Sequence, residues 1–106
     1  MFRVFKNKFY IEIQRHNIPD EINTENDFID FAYTYNIPLV ATNECYFANK
    51  EMFQAHDVLL CITDGKFIDE TNRRHETEEH YFKSAEEMIE LFSDLPEAIQ
   101  NTIEIA

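Results

Sequence analysis

Apolar positions along the chain change their spacing in a regular order. Phe9-Tyr10-Ile11-Glu12-Ile13-Gln14 alternates and is rich in aromatic and β-branched residues, which predicts a strand ending at Arg15-His16-Asn17. Pro19-Asp20 then opens a helix with Ile22, Ile29, Ala32 and Tyr33 along one side and Phe28, Phe31 and Tyr35 beside them. Its acidic first turn, Asp20, Glu21 and Glu25, suits the positive end of the helix dipole. Asn36, just before Pro38, is a left-handed helix stop. Leu39-Val40-Ala41 is an uninterrupted apolar run, as in a strand covered on both faces. From Asn49 the period lengthens again: Met52, Phe53, His56, Leu59 and Leu60 recur three or four apart, and Asp64-Gly65 closes that helix.

Residues 66–79 are polar, charged and without period, an exposed loop, and His80-Tyr81-Phe82 predicts a brief extended segment. Ser84 with Glu87 three positions on makes a capping box before a helix whose apolar face is Met88, Leu91 and Phe92. Asp94-Leu95-Pro96-Glu97 starts another, with Ile99, Ile103 and Ala106 on one side. The mixed stretch from Met1 to Lys8 reads as a lead-in, and Ala106 as a boundary inside a longer chain. Strand, helix, strand and helix in succession pack as parallel strands with crossovers, so the fold class is α/β: part of a sheet or barrel with two short parallel strands, followed by C-terminal helices.

Composition narrows the function classes. One Gly and three Pro leave few hairpin turns, which argues against an all-β fold. Nine Lys plus Arg against twenty-one Asp plus Glu give a net charge of −12, a surface that repels phosphate backbones, so any DNA would be held by other segments. Two Cys, and no signal-like start or long apolar run, predict a cytoplasmic chain with free thiols and no membrane contact.

Carboxyl ends of parallel strands open onto ligand-binding crevices. His16 and Glu44 occupy equivalent places after the two strands, and an imidazole with a carboxylate is a common partial metal shell. A lone His there is more often a loop residue with a solvent or backbone partner. Two ligands are also too few for a catalytic metal, which wants at least three. His56, on the apolar helix face, reads as a buried structural histidine, and His75 and His80 are weak candidates. Cys45 and Cys61 lack partners for nucleophilic catalysis, and Glu86, Glu87 and Glu90 read as solvated surface. No His-x-His, Cys-x-x-Cys, phosphate loop or nucleophile elbow is present.

Four ordered blocks, FYIEIQRH, PLVATNE, AHDVLLCITDGK and YFKSAEEMIELFSDLPEAIQNTIEIA, resemble the bacterial DNA polymerase III α-subunit family. They look like the later part of its polymerase-and-histidinol-phosphatase (PHP) domain and the segment leading toward the palm. The resemblance implies a fragment of a (βα) barrel over residues 1–62 and a loop and helical segment over 63–106. It implies DNA replication by a DNA-directed DNA polymerase, a nucleotidyltransferase, as the parent's function, with this piece a scaffold lacking an active site. One alternative is part of a metal-dependent phosphoesterase or 3'-5' exonuclease PHP domain; another is an acidic protein-interaction module. In the family such strand ends hold metal, zinc or manganese in the parent, and His16 matches a ligand histidine. Glu44 stands where the pattern has Asp and Tyr46 where it has a ligand His, so His16 and Glu44 are expected as a vestigial or partial metal site, with no cofactor in the fragment. Expected partners are the rest of the polymerase chain, a proofreading subunit and other replisome proteins, besides self-association of the fragment.

Overall fold

A computed structural model describes residues 8–106; the mixed stretch at 1–7 lies outside the described residues. Strand β1 (Ile11–Ile13) pairs in parallel with β2 (Leu39–Ala41), Ile11 opposite Leu39 and Ile13 opposite Ala41. Helix α1 (Pro19–Thr34) connects them, begun by a proline whose missing N–H costs nothing at that position. It ends where Asn36 takes φ 55°, a left-handed conformation that Asn tolerates, and the Ile37 amide returns to the Ala32 carbonyl at 2.8 Å. A 3-10 turn (Lys50–Met52) leads into α2 (Phe53–Asp64), which Gly65 terminates at φ 67°. Ser84 and Glu87 make both bonds of the capping box at the start of α3 (Ala85–Leu91), and Pro96 starts α4 (Pro96–Ile105). The fold is α/β, an open two-stranded parallel sheet with four helices among the described residues.

One apolar cluster joins these elements. Ile13, Leu39 and Ala41 of the sheet, Ala32 of α1 and Phe92, Leu95 and Ala98 around the α3–α4 corner are all buried, with Ile29, Met88, Leu91 and Ile99 packed against them. Residues on either side of the 62/63 boundary therefore share a core. Helix α4 lies on β2, and Asn101 fastens it there by donating to the Leu39 carbonyl at 2.7 Å.

Two predicted helix faces are only partly used. In α1, Ala32 is buried and Ile29 half-buried, while Ile22, Phe28, Phe31, Tyr33 and Tyr35 stay exposed. In α4, Ala98 and Ile99 meet the core, and Ile103 is 69% exposed. Two three-residue strands span about 10 Å, so they cover under half of the 16-residue α1, about 24 Å long, and fall short of the far end of the 10-residue α4, about 15 Å long. No helix among the described residues is long and apolar enough to cross a membrane.

Candidate functional site

The parallel register that sets Ile13 opposite Ala41 carries both chains to the same end of the sheet, where Thr42 N–H donates to the Ile13 carbonyl at 3.1 Å. Three residues beyond each strand stand His16 and Glu44. The structure brings these two together, through the backbone of Glu44.

His16 is wholly buried, and both of its ring nitrogens are engaged. Nδ1 lies 2.7 Å from Glu21 Oε2, and the other carboxylate oxygen accepts the His16 backbone N–H at 2.6 Å. The Glu44 N–H is directed at Nε2 from 3.1 Å, which makes Nε2 the acceptor and puts the ring proton on Nδ1. Asn43 Oδ1 also lies 3.1 Å from Nε2 but, as an acceptor, makes no hydrogen bond to that unprotonated nitrogen; the Asn43 Nδ2 donates to the Tyr81 carbonyl at 2.9 Å. Glu21 thus plays the part a carboxylate plays behind a ligand histidine. The lone pair that would meet a metal is spent on a backbone amide.

The Glu44 side chain points elsewhere. It is exposed and accepts the Tyr46 hydroxyl at 2.8 Å, a bond that pushes the phenol up to about 12. Tyr46 stacks on His56 at 5.5 Å, and His56 itself is half-buried. His75 and Cys45 are exposed and Cys61 is buried as a free thiol.

His80, a weak candidate by sequence, is a central part of this end. It is 1% exposed and lies face to face with His16, ring centroids 4.1 Å apart and 7° from parallel. Its Nδ1 donates to the Glu44 carbonyl at 2.9 Å. Its Nε2 is buried with no hydrogen-bond partner among the described residues, and Glu76 Oε2 is 3.6 Å away. Buried beside them, Lys83 reaches Asn43 Oδ1 at 3.5 Å and the Glu79 carbonyl, and burial lowers its pKa. The only sequence signal for His80 was its place next to an extended Tyr-Phe pair, which the bridge between Phe47 and Tyr81 now accounts for.

These donors do not fit a divalent ion as they stand. Among the described residues no three His, Cys, Asp or Glu side chains converge as a metal site would require. An open cleft of about 660 Å³ runs beside the strand ends, lined by Arg15, Glu21, Glu25, Lys50, Glu78 and Glu79 among others. Arg15 occupies its wall, paired with Glu25 at 2.7 Å and Asp94 at 2.7 Å, and its guanidinium lies 4.7 Å over the Phe92 ring.

Comparison with known proteins decides the family. The chain is 52% identical over all 106 residues to the DNA polymerase III subunit alpha of Caulobacter vibrioides. The chain belongs to the DNA polymerase III α-subunit family. It spans 9% of that relative's length. The α subunits of Rickettsia bellii and Campylobacter jejuni match over 102 and 105 residues at 51% and 47% identity, covering 96% and 98% of the chain and again 9% of the relative. No family model matches this α-subunit segment.

Proposed function

We propose that the chain is a scaffold segment of the α subunit's PHP domain, carrying no active site of its own and serving DNA replication through the polymerase that contains it. Residues 1–62 would form the later part of the PHP barrel and 63–106 the passage toward the palm. The observation that supports a scaffold rather than a catalyst is the state of His16, with Nδ1 on Glu21 and Nε2 on the Glu44 amide. His16 and Glu44 are then remnants of a coordination shell, and any zinc or manganese of the parent domain would rest on other residues. The nucleotidyl-transfer chemistry belongs to the polymerase part, DNA is held there, and the acidic surface faces the remaining polymerase chain, a proofreading subunit or other replisome proteins in the cytoplasm.

A second reading, a metal-dependent phosphoesterase or 3'-5' exonuclease completed by other parts of the chain, draws on one feature: the buried, unbonded Nε2 of His80. A third, an acidic interaction module, draws on the net charge of −12. The test is made on the full-length α subunit carrying His16→Ala. Primer extension retained and any manganese- or zinc-dependent nuclease activity unchanged supports the scaffold. Nuclease activity abolished by that substitution establishes the phosphoesterase instead.

A further inference from the structure

The loop predicted to be featureless returns at its end to the strand ends and fastens onto them. Thr77 donates its hydroxyl to the His16 carbonyl. His80 Nδ1 donates to the Glu44 carbonyl at 2.9 Å, and the His80 carbonyl accepts the Tyr46 N–H at 2.8 Å. The Tyr81 carbonyl holds the Asn43 amide at 2.9 Å, and the Phe82 N–H donates to the Phe47 carbonyl at 3.0 Å. Two of these, from Tyr46 N–H to the His80 carbonyl and from Phe82 N–H to the Phe47 carbonyl, are main-chain bonds that form one parallel bridge between Phe47 and Tyr81, and side chains make the others.

We infer that residues 77–83 are a strap that locks the Asn43–Glu44 turn against His16, so that this strand end is closed by the chain's own groups instead of by a metal ion. The inference rests on the scaffold reading and gives it a device. Tyr81 holds the Asn43 side-chain amide and His80 holds the Glu44 carbonyl, so the strap fixes the residue whose N–H occupies the His16 Nε2 lone pair and the neighbour packed at 3.1 Å from the same nitrogen. A metal would approach Nε2 along that lone pair. His80 also covers the face of the same ring, which leaves His16 enclosed on its edge and on one side. His80 is thus a positioning residue: it acts on His16 through Glu44.

The experiment uses the full-length α subunit. Amide hydrogen exchange is followed in peptides covering 42–47 and 77–83, and metal content is measured after equilibration with zinc alone and with manganese alone. His80→Ala is expected to speed exchange in both segments by about tenfold or more, the factor expected for losing a buried hydrogen bond. His80→Asn keeps a donor near the position of Nδ1 and is expected to restore most of the protection. Chelation by EDTA is expected to change neither segment, and His16→Ala is expected to leave metal content unaltered. Should His80→Ala fail to fold, Thr77→Val, which removes the hydroxyl that donates to the His16 carbonyl and accepts the Glu79 N–H at 3.3 Å, is expected to loosen the same two segments. Exchange at 42–47 indifferent to His80→Ala or Thr77→Val overturns the strap while leaving the scaffold standing. One zinc or manganese per chain lost on His16→Ala overturns the closure by the chain's own groups, and nuclease activity lost with it ends the scaffold reading as well.

Discussion

His16 and His80 grip the same residue from its two backbone ends: His16 Nε2 accepts the Glu44 N–H at 3.1 Å, and His80 Nδ1 donates to the Glu44 carbonyl at 2.9 Å, with the rings stacked at 4.1 Å. Position 44 therefore matters through its main chain. Its carboxylate, directed to Tyr46, lies outside the buried network.

That division separates two substitutions at the same site. Glu44→Gln is expected to change the unfolding free energy by less than about 0.5 kcal/mol, as an exposed side chain does. His16→Ala strands the Glu44 amide, removes the ring partner of Glu21 Oε2 while leaving the backbone N–H on Oε1, and empties a buried volume, and is expected to cost at least about 2 kcal/mol. Urea unfolding of the two variants checks both, and equal losses would contradict the assignment.

Phe92 is wholly buried where α3 turns into α4, with Arg15 stacked over its ring. Phe92→Ala is expected to cost about 3–5 kcal/mol, the range for removing a core aromatic. Since a small domain has only about 5–15 kcal/mol in total, this variant should be poorly folded in a thermal melt.

Acid should loosen the same corner. The Arg15 guanidinium holds the Asp94 carboxyl below its ordinary value of 3.8. A carboxyl depressed in the folded state contributes stability that is fully present above 3.8 and is lost as the pH falls through the lower, folded value. Asp94 is 64% exposed, so the contribution is under about 1 kcal/mol. Asp94→Asn should lower stability slightly at neutral pH and flatten the loss below pH 3.8, as read from melting temperatures across an acid titration.

Phe28 and Phe31 are each half exposed on α1 and, with Phe9 and Ile11, line an apolar groove of about 490 Å³. The 106-residue chain by itself is expected to self-associate through such surface at high concentration. Sedimentation velocity of Phe31→Glu should show the association weakened; a strictly monomeric parent chain would contradict it.

Local signals were readable in the sequence because their causes are local. Asn36 and Gly65 stop helices at positive φ, Ser84 and Glu87 cap one, and Ile11-Glu12-Ile13 and Leu39-Val40-Ala41 pair in parallel as their patterns imply. His16 and Glu44 were placed together for the same reason, since both lie three residues past strands in register. What stayed hidden depends on contacts far along the chain. His80 lies 64 residues from the ring it covers, as the interval from 16 to 80 shows, and nothing in a charged, aperiodic loop announces that its end is buried. Helix periodicity likewise could not say that Ala98 and Leu95 would reach the core while Ile103 would not, because the width of the sheet decides it.

The scaffold reading stands on the hydrogen-bonded state of one imidazole, and long-range proton–nitrogen NMR of His16 reads that state directly. In the full-length α subunit labelled at histidine nitrogens, His16 is expected to show a protonated Nδ1 and an unprotonated, hydrogen-bonded Nε2, with the pattern unchanged when zinc is added. A zinc-induced shift of Nε2 accompanied by release of the Glu44 amide would contradict it.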